Sequence, residues 1–110
     1  MNAPYKAIDF IIANAPKYAK AKSERIYLEE FRKTKKALLM KVAMEAGFES
    51  AVSQEREAYA HPEYQELLRG LAVAIEQEEG LKWLLTAAQM RSEVWRTESA
   101  NERQGVKVTE

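Results

Sequence analysis

Residues 62–95 read PEYQELLRGLAVAIEQEEGLKWLLTAAQMRSEVW, and the apolar spacing of this stretch decides the fold. From Tyr64, the positions Leu67, Leu71, Ala74, Glu78, Leu81, Leu85, Ala88, Ser92 and Trp95 follow in alternating steps of three and four. Such steps keep side chains on one face of an α-helix, and a seam sustained this long packs against a second helix. Leu68, Ile75 and Leu84 widen the stripe. Gly70 and Gly80 lie inside it, each costing about 1 kcal/mol of helix propensity relative to Ala. Pro62 suits the first turn of this helix, where a missing N–H is harmless, and His61 is read as its starting residue.

The partner helix lies upstream. Residues 17–46 contain no Pro or Gly and are rich in Ala, Lys, Glu, Leu and Met, all strong helix formers. The pattern predicts a short helix at 4–13, a break at Asn14-Ala15 and a long helix at 16–46, stopped by Gly47. The two Asn-Ala-Pro runs, at Asn2 and Asn14, read as a reused helix-start signal. The apolar stripe of the long helix is Ala21, Leu28, Phe31, Leu38, Val42 and Ala46, with Leu39 beside it; Ile26, Met40 and Met44 fall on the opposite face. Ser50 or Ser53 caps a short connector helix ending near Tyr59. The expected fold is all-α, a long antiparallel coiled-coil-like helical hairpin with a short N-terminal helix and a short connector helix. Residues 1–98 form a single helical domain, and residues 99–110, which lose the apolar period, a flexible C-terminal tail. Two helices bury too little to stand alone, so a homo-oligomer is expected.

Composition excludes several function classes. The chain has 110 residues, no cysteine and one histidine. Disulfides, thiolate metal sites and thiol nucleophiles are therefore absent. There is no nucleophile–base pair, no phosphate-binding glycine loop and no metal-ligand spacing. The reading is of a non-enzymatic chain with no metal or cofactor. No signal-peptide pattern is present and no segment approaches the roughly 18 apolar residues that cross a bilayer. The expected location is the cytoplasm, that of the host if the chain is phage-encoded.

Net charge is zero, but residues 1–47 hold ten Lys/Arg against five Asp/Glu, and the remainder holds seven against twelve. Lys20, Lys22, Arg25, Arg32, Lys33, Lys35 and Lys36 are interleaved with Tyr18, Tyr27 and Phe31. Cations that neutralise phosphates, set among rings that stack on bases, are what single-stranded nucleic-acid binding needs. The same pattern also arises as a solvated or subunit-pairing helix face. Glu78 falls inside the apolar seam, where a charge needs a partner; Lys35 is one candidate. Trp83 and Trp95 are twelve residues apart, about 120° around a helix. Trp95 is read as seam core and Trp83 as facing another neighbour; Leu67, Leu71, Leu81, Trp83, Leu85 and Trp95 form the expected core or oligomer interface.

Over residues 16–96 the order of features resembles the phage recombination mediator family of the UvsY type. The likeness rests on Tyr18-Ala19-Lys20-Ala21, Ile26-Tyr27-Leu28, Lys33-Thr34-Lys35-Lys36, Arg56-Glu57-Ala58-Tyr59, Leu67-Leu68-Arg69-Gly70-Leu71 and Leu81-Lys82-Trp83-Leu84-Leu85. The resemblance implies a small, oligomeric, non-catalytic protein that binds single-stranded DNA. It implies partners too: a RecA-like recombinase and single-strand-binding protein. Lys33, Lys35 and Lys36 would be the DNA-contacting positions. The family's basic ending, with a Gly-aromatic pair and an Ile-Lys, is replaced here by Arg91 to Glu98 and a polar tail. The alternative is a protein–protein adaptor or inhibitor whose acidic run, Glu49 to Glu79, mimics phosphates toward a host nucleic-acid enzyme.

Overall fold

A computed structural model describes the backbone of residues 3–109 and the side chains of residues 5–105. The fold is an all-α helical hairpin: α1 (Ala3–Glu45), a connector α2 (Ala51–Ala60) and α3 (Pro62–Thr109). Local chemistry sets each joint. Gly47 takes φ 104°, a left-handed value that favours glycine. Its N–H donates to the Met44 carbonyl and that of Phe48 donates to Ala43, which closes α1 in a Schellman turn. Ser50 Oγ accepts the Ser53 N–H at 3.0 Å and starts α2. His61 Nδ1 accepts the Glu63 N–H at 3.0 Å, with Pro62 as the first helical residue, so the lone histidine is a helix cap.

Two expectations about helix limits are corrected. The predicted break at Asn14-Ala15 is absent, and Pro16 lies inside a continuous α1. Proline there removes the N–H that would reach the Ile12 carbonyl and crowds that carbonyl with its ring, a local cost the turns on either side outweigh. Asn14 does not cap a new helix; its side-chain amide donates to the Phe10 carbonyl at 2.8 Å, within the same helix. At the other end α3 continues through Thr109, past residue 98, although the apolar period stops there. Ala100, Glu102, Arg103 and Gln104 are compatible with helix without that period. Asn2, read as a start signal, lies outside the described residues.

The chain divides into two compact units. One is Lys20–Glu78, holding the second half of α1, all of α2 and the first part of α3. Here Lys35 pairs with Glu63 and, ten residues earlier in α1, Arg25 pairs with Glu78, later in α3. Rising numbers on one helix meet falling numbers on the other, so the arms are antiparallel. The core centres on Leu39, Ala58 and Tyr64, with Met40 and Leu68 against them; Ala58 is fully enclosed. Ala21, Ala43, Leu71 and Ala74 are also buried. The predicted α1 stripe holds at Ala21, Leu28 and Phe31 and is rotated beyond them, where Ala46 is exposed as well. Leu38 and Val42 face solvent while Leu39 and Ala43 turn inward, because α2 adds Ala58 to that side.

The other unit comprises Met1–Ala19 and Glu79–Glu110. Among its described residues Ala7 and Ala88 are buried, while Phe10, Ile11, Leu81, Leu85 and Ser92 are half-buried. The predicted α3 seam thus runs from Tyr64 through Ser92. It fails at Trp95, which is 39% exposed, and Ile75 and Leu84 face outward instead of widening it. No large side chain among the described residues is fully buried.

Candidate nucleic-acid interface

The candidate site lies in the Lys20–Glu78 unit and is built from all three helices. Arg32, Lys33 and Lys36 sit within little more than one turn of α1. Tyr59 comes from the end of α2 and Tyr64 from the first turns of α3, brought together by the tight His61-Pro62 joint. These five side chains line a recess of about 370 Å³. The two tyrosine rings meet edge to face, with centroids 5.2 Å apart. Tyr64 is buried and fixes the pair; Tyr59 is 39% exposed. The Lys36 ammonium lies 4.9 Å from the Tyr59 ring centre, within cation–π range. Hydrogen bonding with the Tyr59 side chain, aided by the charge of Glu55, raises the Lys36 pKa above its ordinary value.

The eight residues predicted to contact nucleic acid do not act alike. Arg25 is committed to structure. Its Nε and Nη2 donate to the two oxygens of Glu78 at 2.6 and 2.9 Å, and Nη1 donates to Glu29 at 3.0 Å. Hydrogen bonding to Glu78, then to Glu29, raises its pKa further. The seam carboxylate therefore pairs with Arg25 and not with Lys35, because the planar guanidinium grips both oxygens where an ammonium contacts one. Lys35 pairs with Glu63 at 3.0 Å, and hydrogen bonding from Lys35 holds the Glu63 carboxyl below its ordinary range. Lys35 lines a different recess, with Phe31, Glu66, Leu67 and Gly70.

Lys33 and Lys36 also meet glutamates, but loosely. Lys33 lies 3.4 Å from Glu30, with both side chains about seven-tenths exposed, and Lys36 lies 3.6 Å from Glu55. The first pair is exposed and the second half-buried, and at such distances both are weaker than the 3.0 Å Lys35–Glu63 pair. Among the described residues Arg32, Lys20 and Lys22 have no carboxylate within 4.0 Å. Lys20 and Lys22 point to widely separated sides of α1, and neither lines the recess. Tyr27 is 64% exposed and stacks on Phe31 at 5.8 Å, outside the recess.

Of the expected interface residues, Leu71 is buried and Leu67, Leu81 and Leu85 are half-buried, while Trp83 is 65% exposed and Trp95 is not core. Sequence reasoning missed Tyr59 and Tyr64 as site residues. Their signal is two aromatics five apart, flanking a His-Pro joint between helices. Among the described residues no group of three or more His, Asp or Glu is placed to hold a metal ion. No helix of the described residues is long and apolar enough to cross a membrane. No family model, curated protein or solved structure matches the chain.

Proposed function

We propose that this chain is a non-catalytic, single-stranded nucleic-acid-binding accessory protein, acting through the Arg32–Lys33–Lys36 recess. The supporting observation is the convergence of those three cations with Tyr59 and Tyr64 on one concave surface. The cations suit consecutive phosphates, and the partly exposed Tyr59 ring suits a base. The recess offers cations and rings that hold a strand, and in this reading presentation of the strand is the activity. In the finer form of this reading the chain is a homo-oligomeric recombination mediator. It acts in the cytoplasm, a host's if phage-encoded, and hands DNA to a RecA-like recombinase on strands coated by single-strand-binding protein.

Fluorescence anisotropy with a labelled oligonucleotide tests the assignment. Arg32→Ala with Lys33→Ala and Lys36→Ala abolishes most binding at low salt, whereas Lys35→Ala, which removes a paired cation, changes it little. Equal loss in both variants, with helix content intact, would reject the recess as the site.

One observation favours the adaptor reading. Glu57, Glu66, Glu76 and Glu79 are exposed and, among the described residues, have no cation within 4.0 Å. An acidic face of this kind suits a basic protein groove. Absence of oligonucleotide binding even at low salt would favour it over the first reading.

A further inference from the structure

Trp83, Met90 and Val94 are 65%, 61% and 56% exposed, and Ala87 between them is exposed too. All four belong to α3 in the unit that contains Glu79–Glu110. Their spacing, four then three then four, is a second seam. It lies away from the inward row of Leu81, Leu85, Ala88 and Ser92. A monomer gains nothing from a repeated apolar row in water, and a continuous row of this period is shaped for another helix.

We propose that this row pairs with the same row of a second copy of the chain, with the two α3 helices antiparallel. Two features of the row favour self-pairing in that direction, and a third sets its strength. The first is size: run backwards, the row sets Trp83 against the second copy's Val94 and Ala87 against its Met90, so each layer joins a large side chain to a smaller one. In a parallel pair Trp83 meets Trp83 and Met90 meets Met90, while Ala87 meets Ala87 across a gap. The second is charge. Parallel, in-register pairing brings Glu93 beside the second copy's Glu98, a like-charge contact, as flanking heptad positions do. Antiparallel pairing sets Glu93 beside Thr86 and Arg91 beside Leu84, and no like charges meet. The third is extent. Four side chains fall short of the roughly 800 Å² per partner of a stable interface. The association is accordingly reversible and concentration-dependent. It uses no residue of the basic recess, so it stands apart from the nucleic-acid reading.

Light scattering on the full chain across a concentration series tests this. The mass rises from one copy toward two, and Trp83→Glu with Met90→Glu holds it at one copy with unchanged helical circular dichroism. Direction is read by disulfide trapping, which is clean because the chain has no cysteine of its own. Ala87→Cys and Met90→Cys chains, mixed, cross-link to each other faster than either does to itself. A wild-type chain that stays monomeric leaves the row to some other protein and overturns the proposal. Association that survives the double glutamate variant overturns it too, as does self-cross-linking of Ala87→Cys as fast as the mixture.

Discussion

Arg25 on α1 holds both carboxylate oxygens of Glu78 on α3, 53 positions away in sequence, at 2.6 and 2.9 Å. Glu78 is 6% exposed, in the middle of an otherwise apolar seam. A forked ion pair in that setting fixes register: sliding the helices by one turn would leave the carboxylate buried without its guanidinium. Arg25→Glu or Glu78→Arg alone therefore lowers the melting temperature sharply. The two together recover most of the loss, because the charges exchange places. Melting curves of the three variants check this, and a double variant no better than either single one would contradict it.

The core is small and unevenly shared. Leu39→Ala removes a buried side chain beside Ala58 and Tyr64 and is expected to cost about 2–5 kcal/mol in urea unfolding. Leu38→Ala, next in sequence but 51% exposed, changes stability by about 0.5 kcal/mol or less. Similar losses at both positions would mean that the α1 face is misplaced.

Pro16 interrupts the hydrogen-bond ladder of a continuous helix. Pro16→Ala supplies an N–H for the Ile12 carbonyl and stabilises the chain by up to about 3 kcal/mol, less the entropy that proline removes from the unfolded chain. The thermal midpoint rises. A fall would show that α1 needs the proline.

Hydrogen bonding from Lys35 holds the Glu63 carboxyl below its ordinary value of 4.5. A carboxylate with a lowered folded-state pKa contributes stability fully present above its unfolded value, lost as pH falls through the folded one. The gap in melting temperature between wild type and Glu63→Gln is steady at neutral pH and closes in acid below pH 4.5. A gap that persists in strong acid would remove the ion pair as its cause.

How much of this was legible in the sequence depended on range. The α3 seam from Tyr64 to Ser92, the Gly47 stop and a serine cap on α2 rest on residues a few positions apart, so local pattern reads them; it neither chooses Ser50 over Ser53 nor ends the seam before Trp95. The expected face of α1 holds through Phe31 and fails from Leu38 on, because Leu38 and Leu39 are adjacent apolar residues and only the docking of Ala58 from α2 chooses between them. The break expected at Asn14-Ala15 fails because the neighbouring turns carry α1 past the local cost of Pro16. The buried glutamate was found from its seam position. Its partner was not, since pairing Arg25 with Glu78 requires a register that no local pattern contains. Sequence pattern assigns Tyr64 to the apolar seam and Tyr59 to the end of the connector helix; the α2–α3 joint makes them neighbours.

The most direct test of the account is the salt dependence of oligonucleotide binding. Three cations meeting three phosphates of a single strand give a slope of about −2 in the logarithm of the binding constant against that of salt concentration. In the Arg32, Lys33 and Lys36 triple-alanine variant the slope falls toward zero. Binding by the wild type that ignores salt, or a slope unchanged in the variant, would contradict phosphate capture at this recess.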